Sequence, residues 1–573
     1  MPVMNSFMPK NKIRDILALC FIFSLPLALW LTSGLFVQEW KEITAQGYLA
    51  ARLIKTAAIL MQNPFLRLLG WATVFTLAMF ALRLTGGWAL WFFRVRLIGT
   101  LSDRISRGVR ITAGVLLTGL LTLSGSVFLI PAIGRPAGPN IILIGADTLR
   151  AGHLGCYGYA RDTSPNIDGL AAEGVVFKQA FSHVASTTPA FATILTSKVP
   201  MSHGVLCNTN RGYRLEKRHT TLAERLKDRG YLTAAFTSGF SLKKSSGLDQ
   251  GFDVFNDDFA VERRADQVNR DVFRWLEDNR NRKFFLFVHY FDPHGKYRPP
   301  SPYDELFPYT QKEFDIERIA PYQRYDGISD PSFYISLYDG EIRYMDEHIG
   351  RLLRKLEDLG LTRDTVIVFT ADHGETLDDH KWWFEHGHYV YDEQIHIPLV
   401  VWYPDAFKPA VTDALVTHVD IVPTILDLLG LESGPGIEGH ALTGLIQGEP
   451  WPKTRMYAES HHGWPGIRDG DELEGLKSKH FALRCGRWKL IRIPKATGIH
   501  FELYQIHDDP GELNNLIGRH PEVERRLKAE LMDFIDQYQR TDYYIERVGH
   551  PTEKRPTLSE DQIEALRSLG YLQ

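Results

Sequence analysis

Hydrophobic residues along this chain fall into two regimes. Over the first 134 positions they form long runs. Residues 16–37 are apolar and uncharged and follow Lys10, Lys12 and Arg14; residues 68–93 are a second run, interrupted by Arg83; residues 111–133 are a third. About 20 apolar residues suffice to cross a hydrocarbon core of about 30 Å, so three transmembrane helices are expected. No small-residue cleavage pattern follows the first run, which therefore reads as an uncleaved anchor. A buried helix of a soluble domain would account for one such run but not for three. Residues 44–61 are apolar but hold Arg52 and Lys55, which suits a helix lying in the interface better than a fourth crossing.

After the short Pro/Gly-rich linker 135–139, the runs become shorter and alternate with helical patterns. Residues 140–146, 174–181, 231–237, 283–290, 365–371 and 397–402 are mostly apolar stretches of strand length, as expected of strands buried on both faces. Between them, Ser164 and Pro165 open a helix that Gly174 closes, and residues 189–197 read as a second helix with Pro189 at its first position. Ile342, Met345, Ile349, Leu352, Leu353, Leu356 and Leu359 recur at helical spacing over 338–359, before Gly360. A further helix opens at Asp420. Strand and helix in this alternation predict an α/β fold: a mostly parallel sheet with right-handed crossovers, sandwiched by helices. From about residue 456 the character changes to short strands at 481–484 and 488–492 and a helix over 522–538. The expected organisation is a transmembrane region 1–134, a linker 135–139, a catalytic domain 140–455 and a small C-terminal antiparallel subdomain 456–573.

Charge narrows the partners. The formal net charge is -4, with no basic footprint for nucleic acid. The membrane is the expected partner. Arg94, Arg96, Arg104, Arg107 and Arg110 lie between the second and third runs; by the positive-inside rule that loop and the N-terminus are cytoplasmic. Three crossings then place the catalytic domain on the periplasmic or extracellular side of a multi-pass inner-membrane protein. Cys20 lies in an apolar run, leaving Cys156, Cys207 and Cys485 with no CxxC spacing. A disulfide among these is allowed in an oxidising compartment, and the sequence selects no pair.

Candidate chemistry sits where strands end. Asp147 follows the 140–146 run, and Asp372-His373-Gly374-Glu375 follows the 365–371 run. Ligands in open α/β sheets bind beyond the carboxyl ends of the strands, so both acids belong on one rim. Thr187, in Ser186-Thr187-Thr188-Pro189, stands ahead of a helix N-terminus, where free N–H groups and the dipole would stabilise an anionic ester. A plain helix cap is the bland alternative for that threonine. Asp147, Asp372, His373 and Thr187 together offer three oxygens and a nitrogen, a set for one divalent metal ion, zinc or manganese foremost, with calcium or magnesium as alternatives. Such an ion would lower the pKa of the hydroxyl and make Thr187 a usable nucleophile. Asp378, Asp379, His380, Glu385, His386 and His388 crowd the following loop; a second metal site and a solvated loop both fit them. His289 reads as a core residue, and His294, after Asp292-Pro293, would by itself be a turn residue.

In order and spacing, Asp147-Thr148-Leu149-Arg150, His153-Leu-Gly-Cys-Tyr-Gly158, Ser164-Pro-Asn-Ile-Asp168, Asp292-Pro293-His294, Asp372-His373-Gly374-Glu375, Leu503-Tyr504 and Asp509-Pro-Gly-Glu512 resemble the sulfatase branch of the alkaline phosphatase superfamily. The resemblance runs from about residue 140 to the C-terminus. It implies an alkaline-phosphatase-like fold, and it implies that His294 and His386, with His388 as the runner-up, contact ester oxygens or the leaving group. One departure matters. Formylglycine sulfatases carry Cys or Ser, any residue, Pro, any residue and Arg where this chain has Thr187 and Phe191 in the first and last places. Threonine cannot be oxidised to that aldehyde; it is instead similar to the nucleophile of lipoteichoic acid synthases and phosphoethanolamine transferases. Thr148 stands where calcium-binding sulfatases have an Asp, which favours one metal over two. The expected function is therefore a membrane-anchored, metal-dependent cleavage or transfer of a phosphoryl or sulfuryl group through Thr187, on an envelope lipid or glycan ester. The alternatives are a plain sulfuric or phosphoric ester hydrolase, and an inactive scaffold that bound metal would rule out.

Overall fold

The computed structural model describes residues 138–568, apart from 210–212, 311–313, 381–382, 462–478, 496 and 541–559. The three expected transmembrane runs and their arginine loop lie outside the described residues. Among the described residues, no helix is long and apolar enough to cross a membrane.

Eight strands make the main sheet: β1 (Asn140–Ala146), β2 (Val175–Phe181), β3 (Leu232–Phe236), β4 (Val254–Asn256), β5 (Phe284–Tyr290), β6 (Thr365–Ala371), β7 (Leu399–Trp402) and β8 (Ala410–Thr417). Their order is β4-β3-β5-β1-β6-β7-β2-β8. β1, β5 and β6 lie side by side and are buried at every position, because sequences such as NIILIGA and FFLFVHY have no polar alternation to offer a wet face. Each large apolar side chain buried there stabilises the fold by about 1.5–3 kcal/mol. Of these strands, only β7 runs antiparallel to its neighbours, β6 and β2. The reason is the connection: the described residues of 372–398 contain a one-turn helix, Asp392–Ile395, and no covering helix to bring the chain round for a parallel crossover.

The principal helices of this domain are α1 (Pro165–Glu173), α2 (Thr187–Thr196), α3 (Ala265–Asn279), α4 (Pro331–Asp358) and α5 (Ile421–Leu428). α1 and α3 pack on α4, and α2 packs on α5. α1 opens and closes at the residues read from sequence, with Ser164 at its N-cap and Gly174 at its C-cap. Two helices begin earlier than expected. α2 starts at Thr187 with Ser186 as its cap, which puts Pro189 at the third helical position, still within the first turn where its missing N–H leaves no bond unmade. α4 starts at Pro331, where the Asp330 side chain accepts from Ser332 N. Its first turns bury Tyr334, Leu337 and Tyr338, aromatic contacts that the aliphatic spacing did not reveal.

A second, antiparallel sheet follows: β9 (Arg455–Glu459), β10 (Phe481–Cys485), β11 (Trp488–Lys495) and β12 (Gly498–Gln505), in the order β12-β11-β10-β9. The apolar pattern marks β10 and β11 but not β9 and β12. Helix α6 (Pro521–Gln539) covers the sheet, Leu527, Leu531 and Ile535 packing with Phe481, Leu483, Leu490 and Leu503. The small sheet is tied to the main domain by buried charge. Lys489 Nζ lies 2.6 Å from Asp392 Oδ1 and 2.7 Å from Glu512 Oε1, and Arg484 holds Asp392 Oδ2 at 2.6 Å.

Candidate active site and metal centre

Three neighbouring strands deliver the chemistry to one rim. Ala146 pairs with Ala371 and with Tyr290 across β1, β6 and β5, so Asp147 and Asp372 emerge side by side. Asp147 N donates to Tyr290 O at 3.0 Å and Asp372 N to Ala146 O at 3.2 Å. α2 is brought against the same strands because Gly145 has no side chain: a Cβ there would meet Phe191 Cε1 at 2.6 Å. This close approach puts the first turn of α2, and Thr187, at the mouth of β1.

Backbone geometry then sets which atoms face inward. Thr148 has a φ of 53°, a left-handed conformation that costs a β-branched residue about 1–2 kcal/mol. It turns the Thr148 N–H onto Asp372 Oδ1 at 3.0 Å, and His373 N donates to the same oxygen at 2.7 Å. Oδ2 is left to the site. His373 Nδ1 donates to Gly374 O at 2.8 Å, which fixes the ring so that Nε2 carries the lone pair.

The inward atoms have no protein partners. Asp147 Oδ1 and Oδ2, Thr187 Oγ1, Asp372 Oδ2 and His373 Nε2 are all buried without a hydrogen bond, a costly state for polar groups. Asp147, Asp372 and His373 offer ligand atoms within 4.8 Å of one another. Burial, followed by the charge of Glu375, drives the Asp147 pKa well above the usual carboxylate range, with the Thr187 hydroxyl a weaker opposing influence. Burial, then Asp147, pushes Asp372 up to about 8, while burial pulls His373 down to about 4. Two acids this close in a dry pocket cannot both ionise without a cation between them. The orphaned donor set therefore fits a divalent ion, with Asp147, Asp372, His373 and Thr187 to hold it.

Two further imidazoles converge here. The His294 ring stands 5.1 Å from His386, and His386 stands 4.6 Å from His373, centroid to centroid. His294 stacks on Phe291 and donates through Nδ1 to Gly295 O. His386 Nδ1 lies 3.1 Å from Glu375 Oε1, and Tyr297 donates to the other oxygen of Glu375 at 3.1 Å. Burial holds His386 down to about 4 and His294 well below its usual value.

The crowded loop resolves into ion pairs with separate partners. Arg150 holds Asp379 through both guanidinium nitrogens, at 2.6 and 3.2 Å. His380 pairs with Glu393, and His388 lies 3.6 Å from Glu385. Among the described residues, the Asp147 group is the metal-competent cluster, and no second one is built from this loop. His289, expected in the core, is buried but is not inert: its Nε2 lies 3.5 Å from Asp147 Oδ2. A signal existed for it, since its strand ends beside β1. Glu375 and Tyr297, which position His386, gave none beyond the motif.

Comparison with known proteins places the chain among sulfate-ester enzymes. A family model described as Sulfatase matches residues 139–431, and one described as N-sulphoglucosamine sulphohydrolase, C-terminal, matches residues 378–537. The chain is 25% identical over 499 residues to the N-acetylglucosamine-6-O-sulfatase of Bacteroides thetaiotaomicron, covering 70% of this chain and 86% of that protein. It is 26% identical over 493 residues to the ulvan-active sulfatase of Formosa agariphila, covering 77% and 90%. In fold it is similar to the phosphonate monoester hydrolase of Silicibacter pomeroyi, with a TM-score of 0.60 at 22% identity over 71% of this chain and 97% of that one. It is also similar, with a TM-score of 0.59 at 23% identity over 72% and 99%, to a protein solved in complex with its substrate D-glucosamine-2-N,6-O-disulfate.

Proposed function

Since this chain belongs to the sulfatase family, we propose that it takes a sulfuryl or phosphoryl group from an ester onto Thr187 and passes it to an acceptor. The observation that carries this reading is the Thr187 hydroxyl, fully buried, unpartnered, in the first turn of α2 and beside Asp147.

In the first step a bond forms between Thr187 Oγ and sulfur or phosphorus, and the bond from that centre to the ester oxygen breaks. The Thr187 proton leaves to solvent, and the departing alkoxide takes a proton from water, with His386 and His294 at the ester oxygens and the leaving group. Glu375 holds His386 in register for this, and the positive end of α2 faces the anionic centre. In the second step an acceptor oxygen bonds to the same centre and Thr187 Oγ leaves, regaining a proton. When bound by Asp147, Asp372, His373 and Thr187, a divalent ion, zinc or manganese foremost, supplies a lowered hydroxyl pKa and neutralises charge on the ester oxygens.

The relatives named for N-acetylglucosamine-6-O-sulfate and ulvan favour a sulfated sugar as substrate and water as acceptor. Anchoring through residues 16–37, 68–93 and 111–133 would place the catalytic domain on the periplasmic or extracellular side, which keeps envelope lipid and glycan esters in the candidate set. Because threonine cannot become formylglycine, activity should need no maturation enzyme. The test is to incubate the protein with sulfated sugars and with sulfated or phosphorylated lipids, quench during turnover and weigh the Thr187 peptide. A sulfuryl or phosphoryl adduct on Thr187 supports the reading. An unmodified peptide under every ester that is turned over would leave water as the nucleophile.

A further inference from the structure

The turn that follows Asp147 is held in place by a residue from far along the chain. Thr148 stands at a φ of 53°, and its own buried hydroxyl makes no hydrogen bond, so nothing in the side chain offsets the left-handed backbone. Its peptide groups are both engaged. The Thr148 N–H donates to Asp372 Oδ1 at 3.0 Å, and the Thr148 carbonyl accepts from the Tyr338 hydroxyl at 2.8 Å. The same hydroxyl accepts from Arg150 N at 3.1 Å. A phenol has one proton to give and lone pairs to receive, and Tyr338 uses both capacities on the two ends of one short turn, residues 148–150.

Tyr338 lies on α4 and is fully buried. Its ring stands edge-on to Tyr297 and to His153, 5.3 Å from each, centroid to centroid. The ring is thus seated by packing, independently of its hydroxyl. Without that hydroxyl, a β-branched residue at φ 53° relaxes towards negative φ. The relaxation swings the Thr148 N–H away from Asp372, leaving His373 N as the remaining donor to Oδ1 and the carboxylate free to turn.

We propose that Tyr338 is a positioning residue for the metal centre: by clamping residues 148–150 it keeps Thr148 left-handed, which fixes Asp372 Oδ1 and commits Oδ2 to the ion. The role rests on the metal centre assigned to Asp147, Asp372, His373 and Thr187. Tyr338 acts on it through the backbone alone.

Zinc affinity of the full-length protein, measured in competition with a chromophoric chelator, reads this role without reference to activity. Tyr338→Phe keeps the ring and removes the hydroxyl, and it should bind zinc at least about tenfold more weakly than the parent. Thr148→Gly removes the strain, since glycine takes a positive φ freely, so in that background the same change should cost less than about threefold. This rescue separates positioning from packing: a tyrosine that merely seats α4 would cost as much in either background. Parental affinity in Tyr338→Phe overturns the proposal, and so does an equal loss in both backgrounds. Should Tyr338→Phe not fold, the double variant compared with Thr148→Gly decides by the same threefold limit, and a double variant that also fails to fold overturns it. A parent that binds no zinc is a different result, which removes the metal centre and this role together.

Discussion

The Thr187 hydroxyl has no partner at full hydrogen-bond geometry and acts only on neighbouring Asp147, so chemistry and stability should separate at this residue. Thr187→Ala is expected to lower turnover by at least about 10³-fold while changing folding stability by only about 1 kcal/mol. Thr187→Ser should retain part of the activity. Steady-state rates with a parallel thermal melt check both, and a fully active Thr187→Ala would remove the covalent step. Asp372 is the complementary case. Thr148 and His373 both hold its Oδ1 and leave Oδ2 for the ion. The parent should contain about one transition ion per chain by elemental analysis, and Asp372→Ala should be nearly empty. Undiminished occupancy in that variant would strike Asp372 from the ligand set.

At the scale of elements, the 372–398 connection both carries the site and joins the two sheets. His380 shows how. Its ring stacks on Tyr391 at 3.8 Å, its Nδ1 lies 2.8 Å from both oxygens of Glu393, and its Nε2 lies 3.2 Å from Glu512 O. Burial works to lower the His380 pKa, but the hydrogen bond and charge of Glu393 outweigh it and lift the pKa to about 9. A histidine raised in the folded state stabilises most when protonated in both states. The contribution is therefore complete below about pH 6.5, the unfolded value, and fades as pH rises through about 9. The shift is worth on the order of 3 kcal/mol. Denaturant midpoints measured between pH 6 and 9.5 should fall more steeply for the parent than for His380→Gln. Parallel curves would show that the pair contributes nothing to pH-dependent stability.

For the whole molecule, orientation in the membrane is expected from the arginines between the second and third apolar runs. A reporter fused after Gln573 should read out on the periplasmic or extracellular side, and a cytoplasmic signal would mean that residues 44–61 cross or that residues 68–93 do not. Sequence alone determined the features written in local pattern. The unbroken apolar runs at 140–146, 283–290 and 365–371 could only be central strands, and an acid directly after such a strand must reach the rim. Asp147, Asp372 and His373 were thus legible as neighbours on one rim, as was the α/β class. The rest depended on what lies across the sheet. β7 turned antiparallel because no helix intervened, α2 seated itself two residues early against Gly145, and the loop acids and histidines found partners as distant as Arg150 and Glu512. His289 changed from a core residue to a neighbour of Asp147 for the same reason. A buried side chain's role is set by the hydrogen bonds and charges that surround it, and those come from residues far away in the chain, which only the tertiary structure brings within reach.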